Sequence, residues 1–179
     1  MSQTRQLERL VADLSHDDCE VRRKAAVGLG QYLDPAAVAP LVQALGDGDW
    51  EVRAASASSL GKIGGWQAVD PLVAVLMSDD DGQVRGTAAQ ALACIADRRA
   101  AEPLVQALTD GDWYVRLQAA SGLAVVGSEW AARPLANLLL EKNEDVRQAA
   151  AGALASITGQ SFGDSFERWS AWLRGRREA

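Results

Sequence analysis

The stretch GDGDWEVRAASASSLGKIG, residues 46–64, decides how this chain is read. Asp49 has the short acceptor side chain of a helix N-cap, and Glu51 follows in the first turn, where the helix dipole favours an anion. Val52, Ser56, Leu60 and Ile63 recur at helical spacing and form one inward stripe. Gly64-Gly65 stops the helix. A second helix begins near Trp66 and turns Val69, Leu72, Val73 and Leu76 inward. Pro71 falls later than the first helical position, which predicts a kink or a tight first turn.

Outward from that stretch the same pattern returns on both sides. Val-Arg pairs stand at Val21-Arg22, Val52-Arg53, Val84-Arg85, Val115-Arg116 and Val146-Arg147, with spacings of 31, 32, 31 and 31 residues. Pro40-Leu41, Pro71-Leu72, Pro103-Leu104 and Pro134-Leu135 follow them at a constant offset. Leu29, Leu60, Leu92, Leu123 and Leu154 occupy one shared slot, and Asp18, Asp49, Asp81, Asp112 and Asn143 another. Small residues follow each Leu (Gly30, Gly61, Ala93, Ala124, Ala155) and let neighbouring helices approach closely. Asp34, Gly65, Asp97 and Ser128 are the expected N-caps of the second helices. The one extra residue falls within residues 77–81, where a loop absorbs it.

A single helix pair of this kind cannot bury its apolar face, so the units must stack and the ends need caps. Residues 4–14 read as half a unit, with Leu7, Leu10, Val11 and Leu14 inward. TGQSFG breaks the fifth first helix near Ile157. An amphipathic helix over 164–174 with Phe166, Trp169, Trp172 and Leu173 closes the other end, and Arg174, Arg176 and Arg177 complement its C-terminal dipole. The chain is expected to form one domain over 1–179: an N-terminal cap over 1–17, repeats over 18–158 and a C-terminal cap over 159–179.

Composition sets further bounds. Of 179 residues, 18 Lys and Arg stand against 24 Asp and Glu, a net charge of −6 that argues against a general affinity for nucleic acid. Two Cys exclude a disulfide scaffold or structural zinc cluster, and one His excludes most histidine metal sites. Cys19 and Cys94, two units apart, are too distant to bridge. His16 is expected in a solvated turn. No apolar run is long enough for membrane insertion, and MSQTRQLERL lacks a secretory core, so the expected compartment is the cytoplasm.

The unit Asp-x-x-Val-Arg-x-x-Ala-x-x-x-Leu-Gly, followed by Asp-x-x-Ala-x-x-Pro-Leu, resembles HEAT-like repeats of the phycobilisome-lyase type over residues 18–158. The resemblance implies an all-α fold: a right-handed α-solenoid of about five HEAT-like helix pairs with N- and C-terminal capping helices. It also implies that the second helices line a concave face. The repeat is similar to that of deoxyhypusine hydroxylase, a di-iron enzyme that uses several His-Glu pairs. Here His16 precedes Asp17 and there is no second His, so that activity is not supported.

Two sets of residues stand out as candidates. Asp18/Arg22, Asp49/Arg53, Asp81/Arg85 and Asp112/Arg116 are four apart, so a helix places each pair on one face and stacking makes a charge ladder. The run Asp79–Asp81 reads as a solvated loop with Asp81 as cap. Trp50 and Trp113 share a first-turn slot and read as packing between turns unless exposed. Positions 14, 15, 18 and 22 after each Val form a second-helix stripe away from the buried leucines. Core slots repeat along the chain and these do not, as a decorated scaffold surface requires. The candidate partner-binding set is Trp66, Asp70, Arg98, Arg99, Glu102, Trp130, Arg133 and Asn137.

The expected function is therefore non-catalytic: an interaction scaffold or assembly adaptor that binds another protein on its concave face, with no metal or cofactor. The alternative implied by the resemblance is a bilin lyase or isomerase subunit, or a phycobilisome-associated chaperone, that holds a tetrapyrrole for a phycobiliprotein or other client. Arg98, Arg99 and Arg133 would pair with propionates, and Trp66 or Trp130 would stack on the rings. An artificially selected repeat protein is a third reading, and the irregular spacing of 32 leans against it.

Overall fold

The computed structural model describes residues 3–176, and the expected role of Arg177 lies outside them. Among these residues every regular element is helical. The first helices of the five units are α2 (Cys19–Tyr32), α4 (Trp50–Ile63), α6 (Gly82–Ile95), α8 (Trp113–Val126) and α10 (Glu144–Thr158). The second helices are α3 (Val38–Ala44), α5 (Val69–Ser78), α7 (Ala101–Ala107) and α9 (Ala132–Leu138). Helix α1 (Gln3–Asp13) precedes the stack and α11 (Phe166–Gly175) ends it. The molecule is an α-solenoid.

Each first helix begins where the sequence places it. Asp49 Oδ1 accepts from the Glu51 amide at 2.9 Å, and Asp18, Asp81, Asp112 and Asn143 do the same in their units. Each second helix opens with the expected tight turn: 3-10 turns at Pro35–Ala37, Trp66–Ala68, Arg98–Ala100 and Glu129–Ala131. A proline at the third α position has no N–H to offer the carbonyl four residues back, so the opening turn closes through shorter bonds, such as Val38 N–H to the Pro35 carbonyl. Asp34 and Asp97 cap these turns. The Ser128 hydroxyl does not, which corrects that expectation.

Leu33 (φ 52°) and Ala96 (φ 57°) end α2 and α6 in the left-handed region, where Gly64, Gly127 and Gly159 serve the other units. A Cβ there crowds the following carbonyl. Leu33→Gly and Ala96→Gly are each expected to raise stability by about 0.5–1 kcal/mol, seen as a higher urea midpoint at unchanged slope.

The core runs the length of the stack. Leu29, Leu60, Leu92, Leu123 and Leu154 from the first helices are fully buried against Leu41, Leu72, Leu104 and Leu135 from the second. First helices pack along one another closely. A Cβ on Gly61 would stand 2.7 Å from the Ala91 Cα, so only glycine fits there. Ser59 Oγ donates to the Ala26 carbonyl at 2.8 Å across one such seam, and Ser156 Oγ to the Ala124 carbonyl at 2.9 Å across another.

The second helices touch one another only sparsely. The close packing between units runs along the first helices.

At the ends, Leu7, Leu10, Val11 and Leu14 of the N-terminal segment pack on the core. Helix α11 lies against α9, with Trp169 fully buried. Arg176 stacks on the Trp172 ring at 4.9 Å and pairs with Glu129 at 3.5 Å.

Candidate functional site

The repeated arginines form a ladder, but not with the expected partners. Asp18, Asp49, Asp81 and Asp112 are occupied as caps. Arg22 instead makes a two-pronged pair with Asp47, at 2.7 and 2.9 Å. Arg53 does the same with Asp79 at 2.7 and 2.9 Å, and Arg85 with Asp110 at 2.8 Å on both prongs. Each partner belongs to the loop before the next unit. Each arginine also holds the loop of its own unit: Arg53 Nη1 donates to the Asp47 carbonyl at 3.0 Å. Asp79 is thus a nearly buried rung, and the reading of Asp79–Asp81 as a wholly solvated loop is corrected.

The aspartates respond as paired groups. The Arg22 guanidinium holds Asp47, and the Arg85 guanidinium holds Asp110, below the ordinary carboxylate range. Burial pushes Asp79 up, but its bonds from Arg53 and the Asp81 amide outweigh that, and its net shift is also downward. The fourth rung is looser. Glu141 replaces aspartate; Arg116 Nη2 reaches Oε2 at 3.2 Å, while buried Nε lies 3.1 Å from Oε1 without hydrogen-bond alignment. The last rung, Arg147 to Asp164 at 3.9 Å, is supplied by the segment leading into α11.

His16 fills the slot of the loop acid in unit one. Its Nδ1 accepts from the Asp18 amide at 3.0 Å, as Asp47 does from Asp49. Cys19 and Cys94 are free and exposed. Among the described residues no group of three or more His, Cys, Asp or Glu is arranged to hold a metal ion, and no helix is long and apolar enough to cross a membrane.

The eight candidate recognition residues fall into two clusters with two residues standing apart. They lie along the second helices and the turns that open them. Arg99 gathers the first cluster: it bonds Asp70 at 3.2 Å, the Trp66 carbonyl at 3.0 Å and Asp97 at 2.9 Å. The Trp66 indole remains 67% exposed. The second cluster meets the C-terminal cap. Arg133 Nη2 donates to the Leu173 carbonyl at 3.3 Å, and Arg133 and Asn137 line a cavity of about 310 Å³ with Phe166, Ser170 and Arg174. Trp130, 53% exposed, lines a neighbouring hollow with Trp172 and Arg176. Arg98 and Glu102 are exposed and have no ionic partner among the described residues.

Several surface features escaped sequence reasoning. Asp47, Asp79, Asp110 and Glu141 all stand five residues before a repeat valine, so their role was legible in the spacing. The docking of α11 beside Arg133 and Asn137 had no local signal. Trp50 and Trp113 are 43% and 47% exposed, so packing between turns covers only part of each ring.

Stacked helix pairs, an inter-unit arginine ladder and a non-repeating exposed stripe define an α-helical repeat scaffold. The pattern of HEAT repeats matches residues 7–93 and 69–155, and the chain belongs to that family. The complex of CpcE and CpcF of phycocyanin lyase from Nostoc sp. PCC7120 is similar in structure: TM-score 0.78, 28% identity, covering 93% of this chain and 68% of that one. An engineered protein matches with TM-score 0.64 and 30% identity over 85% of this chain and 79% of its own. Human deoxyhypusine hydroxylase, at 20% identity and TM-score 0.56 over 86% of this chain and 74% of its own, shares the fold alone. No curated protein matches the chain.

Proposed function

We propose that this chain is a non-catalytic interaction scaffold, an assembly adaptor whose protein partner docks along the turns that open the second helices. The observation that carries this reading is the contrast between slots. Core positions repeat from unit to unit, while the exposed positions around Trp66, Arg98 and Trp130 do not. Two exposed indoles beside an unpaired guanidinium are the side chains that most often anchor an interface. The stack holds them rigidly, so little ordering is lost on binding.

The test is affinity capture from the source organism, with wild type and the Trp66→Ala/Trp130→Ala variant compared by quantitative mass spectrometry. The expected result is a prey recovered by wild type and depleted with the variant. Equal recovery of the same prey would remove these turns as the docking site.

The similarity to a lyase complex favours one second reading, a subunit that holds a tetrapyrrole. Arg99 is held by Asp97 and Asp70, and Arg133 reaches Leu173, so Arg98 is the one of the three proposed propionate ligands without a partner among the described residues. Titrating purified protein into free bilin separates the two readings. A shifted or quenched bilin band supports the lyase-type subunit, and an unchanged spectrum eliminates it.

A further inference from the structure

The opposite edge of the stack carries exposed apolar groups of its own. Its loops join each second helix to the next first helix. Trp50 and Met77 in unit two, and Trp113 and Leu140 in unit four, are all large and exposed. They fill equivalent slots, since Met77 and Leu140 both stand 25 residues after their unit's valine. In unit four the pair shares an open hollow of about 550 Å³ with Asn137 and Lys142. Unit three has Gly82 and Thr109 in the same slots, so a gap separates the two apolar pairs.

Charge at this edge is one-sided. The arginines of the ladder are consumed by their own carboxylates. Asp17, Asp80, Glu144 and Asp145 are exposed and have no cationic partner among the described residues. Lys142 is the one lysine in these loops. Solvated carboxylates therefore share this row of loops with two half-bare indoles, and an indole face attracts a cation as well as apolar surface.

We infer that this edge is a second recognition surface, for an extended basic segment of a partner protein bearing two apolar anchors. Two helix layers separate Trp50 from Trp113, about 20 Å at the usual interaxial distance. An extended chain covers that span in about six residues, an even number that puts both anchors on one face. Lys or Arg between the anchors meets Asp80. The surface is distinct from the turns around Trp66 and Trp130, and it stands if that site fails.

The probe is a fluorescein-labelled peptide of about twelve residues, alternating Lys and Ser, with two leucines about six positions apart. Fluorescence anisotropy is expected to show binding that weakens with salt and is absent for the Glu-for-Lys peptide. Trp50→Ser/Trp113→Ser should cut affinity at least about tenfold. Asp80→Lys should weaken it too, and Trp66→Ala/Trp130→Ala should leave it unchanged. Circular dichroism checks that each variant remains folded. Equal binding of the acidic peptide, or undiminished binding by the double serine variant, would overturn the inference. So would self-association in sedimentation that the same two serines abolish, because the occupant would then be a second copy of this chain.

Discussion

Trp169→Ala is expected to destabilise the C-terminal end of the stack by about 3–5 kcal/mol, the usual cost of truncating a fully buried tryptophan. Its ring meets Phe162 edge-on at 4.9 Å and Trp172 at 6.0 Å, and its Nε1 donates to the Gly163 carbonyl at 2.8 Å. Alanine removes all of these and leaves a cavity under α11. A repeat array is held by nearest-neighbour contacts, so the damage should stay near the end. Hydrogen exchange is expected to accelerate in α10 and α11 while α2, α4 and α6 keep their protection. Trp169→Phe, which keeps most of the apolar surface but loses the N–H, should fall between alanine and wild type. Uniform acceleration across every helix would show that the cap supports the whole stack.

The second large effect belongs to Arg53. Arg53→Ala leaves the nearly buried Asp79 without its two-pronged partner and frees the Asp47 carbonyl, at an expected cost of about 2–4 kcal/mol. The rung joins units two and three, so urea unfolding should broaden or split at that seam. The same rungs give the fold a pH dependence. Asp47, Asp79 and Asp110 have folded pKa values below the reference of 3.8. Between the folded and reference values the unfolded chain binds more protons, so stability rises with pH there. The contribution is complete above the reference value and drains as pH falls through the folded ones. Urea midpoints measured from about pH 6 down to about pH 3 should fall for wild type and fall less steeply for Arg53→Ala. Identical slopes would sever the Asp79 shift from the ladder.

The helices were legible because their determinants are local. Asp49, Val52, Leu60 and Gly64 specify cap, stripe and stop within sixteen residues, and the chain repeats them. The ladder was legible only in part. Spacing of four pairs Asp49 with Arg53 on a helix, but Asp49 turns its carboxylate to the Glu51 amide and leaves the arginine to reach the next unit. Which residues meet across a seam was not legible, since it depends on how neighbouring units register. That follows from contacts such as Gly61 against Ala91, about thirty residues apart. The candidate stripe was correctly read as exposed at Trp66, Arg98 and Trp130. Its relation to α11 was missed, because the segment over 159–165 has no repeat partner to predict its path.

The ladder also has a direction. Each of the first four arginines secures the loop just behind it and then waits for a carboxylate that lies 25 or 26 residues ahead. As the chain leaves the ribosome, a unit can therefore fold its own hairpin at once but latches to its neighbour only after the following loop has emerged. The most recent arginine of a growing chain stays unlatched until that loop emerges. At the last unit Asp164 supplies the carboxylate that no sixth unit provides, and the series closes.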